Sequence, residues 1–205
     1  MLITRLTTIF ATLALATVVS ATQSQIINAP PDAYQLRYAA NMAVGDSVVD
    51  LTNAGTVGGR EPSGDICANV YVFAQDQQLI SCCTCMLTPN HLQTLSVRND
   101  LINNTLTPGI PTAISIALVA TKGSTCNAAN ITANNLVGGL RAWGTTLHAA
   151  PSGGYVLSET HFSDAPLSTG ELQKMTSYCG FIQANGSGYG ICNSCRPGAQ
   201  GATKQ

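Results

Sequence analysis

The sequence predicts a mainly β protein: an antiparallel β-sandwich of six to eight strands with one C-terminal α-helix, stabilised by disulfides. Three observations carry this reading. Short runs of β-branched and aromatic residues, separated by Gly, Pro and Asn clusters, fill residues 47–162. The pattern Ser168-x-x-Glu171 then opens a stretch whose apolar residues recur at helical spacing. Eight cysteines, all beyond the N-terminal apolar segment, supply the means of bracing one layer against another. A run of strands followed by a helix packs as a sandwich with the helix laid on one sheet.

The chain opens with Arg5, an apolar run at residues 6–19, and the small residues Val19-Ser20-Ala21. This is the pattern of a secretory signal peptide, residues 1–21, cleaved after Ala21. The run is shorter than the ~20 apolar residues a spanning helix needs, and no later stretch is longer, so no transmembrane anchor is expected after cleavage. Residues 22–205 form one domain of about 184 residues, enough for a sizeable core. The expected location is secreted or periplasmic.

Charged residues make up 9% of the chain, against about 25% in ordinary proteins, and the net charge is −1. No basic patch exists to neutralise phosphates, which excludes a nucleic-acid reader. Weak surface charge leaves copies little mutual repulsion, so self-association is open.

Taken in order, residues 22–31 are a loose polar start with a Pro-Pro pair, and the state of residues 34–44 is not fixed by pattern. Residues 47–52, S-V-V-D-L-T, read as a strand, and 56–65 as a Gly/Pro/Ser loop. Residues 66–74 and 78–86 read as two arms of a hairpin. With its turn centred on Asp76, Cys67 falls opposite Cys85, a geometry that permits a cross-strand bond and that a one-residue slip removes. Within the second arm, L-I-S-C-C-T-C-M, alternation puts Cys83 and Cys85 on one face and Cys82 on the other. Residues 91–97 are a short strand and 112–121 an alternating one, with Ile114, Ile116, Leu118 and Ala120 on one face. Residues 122–139 are a long polar loop, and a disulfide at Cys126 explains how it stays ordered.

Residues 140–149 and 155–162 form a second hairpin. A symmetric turn pairs Trp143 with Phe162 and gathers His148, Glu159 and His161 on one face. The helix is expected over about 168–185, with Leu172, Met175, Cys179 and Ile182 facing the domain and Asn185-Gly186 ending it. A Gly-rich turn, Cys192, Cys195 and a polar tail follow.

Residues 46–55, 80–90, 101–111, 140–148 and 178–195, and above all S-C-C-T-C and G-I-C-N-S-C, resemble a group of uncharacterised exported cysteine-rich bacterial proteins. The resemblance covers most of the mature chain. It implies an exported, β-rich, cysteine-rich protein and carries over no activity and no functional residue.

Cys192-x-x-Cys195 lacks the following helix that lowers a redox thiol's pKa. Cys82, Cys83 and Cys85 with Cys192 and Cys195 make one zinc knuckle at most. His148, Glu159 and His161 are a weak metal set, dependent on register. The glycines at 186–190 follow a helix rather than open one, unlike a phosphate loop. Neither a G-x-S-x-G elbow nor an H-E-x-x-H stretch is present. All eight cysteines, Cys67, Cys82, Cys83, Cys85, Cys126, Cys179, Cys192 and Cys195, are therefore disulfide candidates, with no catalytic residue and no cofactor assigned. The function expected is an exported, non-enzymatic binding, adhesion or envelope-associated module for a protein or glycan. A metal-binding or thiol-redox protein and a self-assembling surface subunit are the alternatives.

Overall fold

Apart from Asn69 and Thr121, every position of residues 66–72 and 116–121 is apolar, so strands built from them have two apolar faces and need cover on both. The computed structural model supplies that cover. It describes residues 24–57, 64–123 and 126–193; the expected signal peptide, most of the 56–65 loop, Cys195 and the tail from Arg196 lie outside the described residues. Among the described residues, nine strands form two antiparallel sheets. Strands β1 (Tyr34–Ala39), β3 (Ile66–Ala74), β4 (Leu79–Leu87), β6 (Ile114–Lys122) and β9 (Ser163–Asp164) make a five-stranded sheet in the order β4-β3-β6-β1-β9. Strands β2 (Val48–Asn53), β5 (Leu92–Ser96), β7 (Leu140–Ala149) and β8 (Tyr155–His161) make a four-stranded sheet in the order β5-β2-β7-β8. Helix α1 (Thr169–Ala184) lies on the outer face of the larger sheet. The two strands beyond those the sequence predicts are β1, from the unassigned segment, and the two-residue β9.

The core has two layers. Between the sheets lie Leu51, Val70, Ile80, Ile116, Leu118 and Leu140, all buried. Between the larger sheet and the helix lie Tyr71, Ala117, Val119, Leu172, Met175 and Ile182. Each large side chain so buried stabilises by roughly 1.5–3 kcal/mol. The alternation in β6 therefore does not separate a wet face from a dry one; it sorts residues between two cores. Gln35 ties the sheets together, donating from Nε2 to Leu140 O at 2.9 Å. Tyr71 donates its hydroxyl to Ala128 O at 2.6 Å, which anchors the long loop before β7.

The helix forms as its sequence dictates. Ser168 Oγ accepts from Glu171 N at 3.1 Å, and Leu172, Met175, Cys179 and Ile182 are its buried stripe. Asn185 caps the end, and Gly186 takes the left-handed φ of 67° that lets the chain turn away.

Sulfur ties these layers. Cys82, on the outer face of β4, bonds Cys179 of α1. Its neighbour Cys83, on the inner face, bonds Cys192. Cys67 bonds Cys126, holding the long loop against β3. Cys85 is disulfide-bonded too, and no described cysteine is free. Between the two β4 bridges, Cys82 N donates to Gly190 O at 2.8 Å and Cys192 N to Cys82 O at 3.2 Å, so the post-helix segment covers part of the β4 edge.

Both hairpins differ in register from the sequence reading. Near its turn the β3–β4 pair follows the expected register, with Phe73 opposite Leu79. A bulge between Val72 and Phe73 then shifts the ladder, so Cys67 lies opposite Met86 rather than Cys85 and finds Cys126 instead. In the β7–β8 pair the loop takes five residues, closed by Ala150 N to Gly154 O at 3.0 Å. Trp143 consequently pairs with His161, its ring 5.3 Å away, and Phe162 leaves the ladder.

Replacing Cys82 and Cys179 together by Ala is expected to lower the unfolding free energy by about 2–5 kcal/mol in a non-reducing urea titration. A loss under about 1 kcal/mol would mean that the apolar stripe alone holds the helix.

Candidate functional site

The outer face of the larger sheet is only partly roofed by α1. Past the helix, the middle strand β6 presents small residues, Ser115 and Ala117, between bulkier neighbours. The registers place Phe73 of β3 and Tyr38 of β1 on either side of Ser115, and Tyr71 and Leu36 on either side of Ala117. A small residue between two large ones on a pleated face makes a trough. Tyr38 and Phe73 stand two strand spacings apart, about 9.6 Å, which suits one flat ring between them. The cavity is about 540 Å³.

Its floor is apolar and its rim polar. Ser115 is exposed at the bottom, and Tyr38 is 56% exposed. Gln75 and Gln77 overhang from the β3–β4 turn. Gln77 holds a left-handed φ of 70°, a conformation a non-glycine residue adopts at some cost. At the other end, Lys174 Nζ sits 5.2 Å above the Phe73 ring and 3.9 Å from Glu171 of the first helical turn. The ammonium is thus held between a π-face and a carboxylate.

The sulfur and histidine candidates fare differently. Cys82, Cys83 and Cys192 are bridged, and disulfide sulfur is no thiolate ligand or nucleophile. Cys192 pairs with Cys83 rather than within its C-x-x-C. The one-residue shift in β7–β8 puts His148 opposite Val156, on the face away from Glu159 and His161. His148 instead meets Ser158 Oγ through Nε2 at 2.8 Å and sets its ring edge-on to Tyr38. Among the described residues no group of three His, Cys, Asp or Glu is placed to hold a metal. The weak set His148, Glu159 and His161 is therefore split by register.

Sequence pattern does not single out the groove. Its one local signal is the pair of small residues, Ser115 and Ala117, alternating with Ile114, Ile116 and Leu118, and this has meaning only once β1 and β3 are known to flank β6.

Tyr34, at the inner end of the groove, has its phenol pushed up to about 12, by burial first and by the Glu171 carboxylate second. Burial also holds the Tyr71 phenol above the ordinary range. An unfolded tyrosine ionises near pH 10, so above that value the folded chain keeps protons the unfolded chain has released. The stability this confers is complete below about pH 10 and is lost as pH rises through the folded values.

The chain matches no family model, no curated protein and no solved structure. Geometry alone carries the reading of the site.

The urea midpoint is expected to be flat from about pH 8 to 9.5 and to fall from about pH 10 to 12. Tyr34→Phe should remove part of that fall. An unchanged slope in the variant would place the proton elsewhere.

Proposed function

We propose that the chain is an exported, non-enzymatic, disulfide-stabilised binding module, and that the groove between Tyr38 and Phe73 holds a saccharide. The observation that carries this is the cross-strand row Phe73–Ser115–Tyr38, two aromatic side chains flanking an exposed hydroxyl. A pyranose ring has one face of C–H bonds and a girdle of hydroxyls. Its C–H face packs on the negative face of an aromatic ring, and its hydroxyls meet amides and hydroxyls such as Gln75, Gln77 and Ser115. A peptide fits less well, because the trough lies on the sheet face, and the β1 edge beside it is open only over residues 37–39, where Tyr38 O already accepts from Thr146 Oγ1. Export is supported by the N-terminal signal pattern and by bridges that form in an oxidising compartment. No helix among the described residues is long and apolar enough to cross a membrane.

Tyr38→Ala and Phe73→Ala should each weaken oligosaccharide binding by about tenfold or more in calorimetry, as loss of an aromatic contact worth at least ~1.4 kcal/mol does. The circular dichroism spectrum should not change. Mass spectrometry of the exported protein should give a chain beginning at Thr22. A protein that binds none of a broad array of neutral and acidic glycans would remove the reading.

A second reading, self-association, is favoured by β8. This strand is the outer edge of the four-stranded sheet, and Tyr155, Val156 and Leu157 are each about half exposed on it. Its seven residues contain no Lys and no Pro, the residues that blunt an edge. Light scattering across a dilution series should reveal a dimer or larger species that Val156→Lys dissociates; a strict monomer at high concentration would exclude it.

A further inference from the structure

A second cavity, of about 510 Å³, opens on the other side of β1 and shares Leu36, Tyr38 and Ser115 with the groove. The two meet because β9 pairs with β1 only at Gln35 and Leu36, leaving the β1 edge open from Arg37 onward. Tyr38 faces the groove, and Arg37, one residue earlier, points between the sheets.

Arg37 is half-buried among neutral partners. Its Nη1 donates to Thr160 O at 2.8 Å and to Thr160 Oγ1, and its Nη2 donates to Thr146 Oγ1 at 2.9 Å. Its Nε is buried and has no acceptor among the described residues. The stem lies flat across Gly144, where a Cβ would come within 2.6 Å of Nε. The Phe162 ring lies 6.0 Å from the guanidinium carbon. The described ion pairs join Arg141 to Asp32 and Lys174 to Glu171, and neither involves Arg37. Burial disfavours its charge, and Glu159 offsets this only from a distance. A guanidinium partly withdrawn from water without a counterion is costly. In a chain with so few charges, that cost points to a partner which arrives from outside.

We propose that the Arg37 cavity receives a carboxylate, so that the saccharide held by the groove is an acidic, uronate-bearing one. This rests on the saccharide reading of the groove and specifies it. A sugar ring on Tyr38 brings its neighbouring residue to the open β1 edge, and a carboxylate there lies beside Arg37. Ser163 and the hydrogen-bonded His148–Ser158 pair line the same cavity and offer further donors. The planar guanidinium is the side chain best matched to a carboxylate.

The test is calorimetry with oligogalacturonate and with a neutral oligogalactan of the same length, on the full exported chain. Oligogalacturonate should bind about tenfold or more tightly than the neutral probe, a difference of ~1.4 kcal/mol, and the preference should shrink with added salt. Arg37→Gln should bring the two affinities within about twofold, and Arg37→Lys, which keeps the charge but not the fork, should restore part of the gap. Equal affinities in the wild type, or a preference that survives Arg37→Gln in a folded protein, would overturn the inference and leave the neutral groove standing. Binding of neither probe would overturn the inference, and failure on the broad glycan array as well would overturn the groove reading. Binding of oligoglutamate through Arg37, with neither sugar bound, would overturn the saccharide and assign the cavity to an acidic peptide.

Discussion

Two adjacent residues of β4, Cys82 and Cys83, bond in opposite directions, and the rest of the molecule depends on this. A strand at the edge of a sheet has one row of unpaired backbone groups and needs cover. Cys82 binds the helix above, Cys83 binds Cys192 below, and the segment between those partners crosses the edge and pairs with Cys82. The two bridges span 97 and 109 residues. Loops of that length each constrain the unfolded chain by roughly 4–5 kcal/mol in the chain-entropy account. That is comparable with the ~5–15 kcal/mol net stability of a typical domain. A lone 16-residue helix is marginal in water, so α1 owes its place to the buried stripe and to Cys179 together. The helix in turn sets Glu171 and Lys174 at the end of the groove. A chain of cause therefore runs from alternation in a nine-residue strand to the wall of a candidate ligand site.

What sequence could and could not reveal divides along the same line. Properties internal to one element were legible: the capping residue Ser168, the helical stripe, and the placement of Cys82 on one face of β4 with Cys83 and Cys85 on the other. Properties that depend on how two elements meet were not. The bulge at Val72/Phe73 and the five-residue loop after Ala149 each move a ladder by one residue, and one residue reverses which side chains share a face. That single step exchanged the partner of Cys67, separated His148 from Glu159, and released Phe162 from Trp143. The groove is one level further removed. It needs the order β3-β6-β1, whose outer members are brought together by nonlocal pairing that no turn signal announces.

With charge so scarce, several of the charged side chains have an identifiable task in the fold. Asp32 accepts from Arg141 and from the backbone of Gly139, fastening the turn before β1 to the start of β7. Asp46 accepts from Ser47 N at 2.7 Å, from Arg98 N at 2.9 Å and from Ser96 Oγ, which holds the wide helical turn at Val97–Leu101 in place. Asp50 meets Thr94 Oγ1 across β2 and β5 at 2.5 Å. These three acids are consumed in the fold. Arg37 differs in having a fixed place, a fixed geometry and no opposite charge beside it.

That difference follows from how the chain passes between the sheets. β8 ends at His161 in one sheet and β9 begins at Ser163 in the other, so the whole crossing is made by Phe162. Its side chain is buried in the inter-sheet core, and its N–H still bonds Ala142 O at 2.9 Å. A crossing this short cannot continue the β9 pairing, and the chain turns away toward α1 through Ala165, whose N–H reaches Tyr34 O at 3.0 Å. The remaining length of β1 is left uncovered on that side. Had the crossing been longer, β9 would extend along Arg37 and Tyr38, the sandwich would close, and the two cavities would be separate. The one-residue corner joins an aromatic face to a cationic gap around a single exposed tyrosine, and the same Phe162 ring that closes the core supports the guanidinium at its mouth. A ligand with an apolar ring face and an adjoining carboxylate matches that sequence of surfaces, whereas a purely neutral one would leave the charge uncompensated.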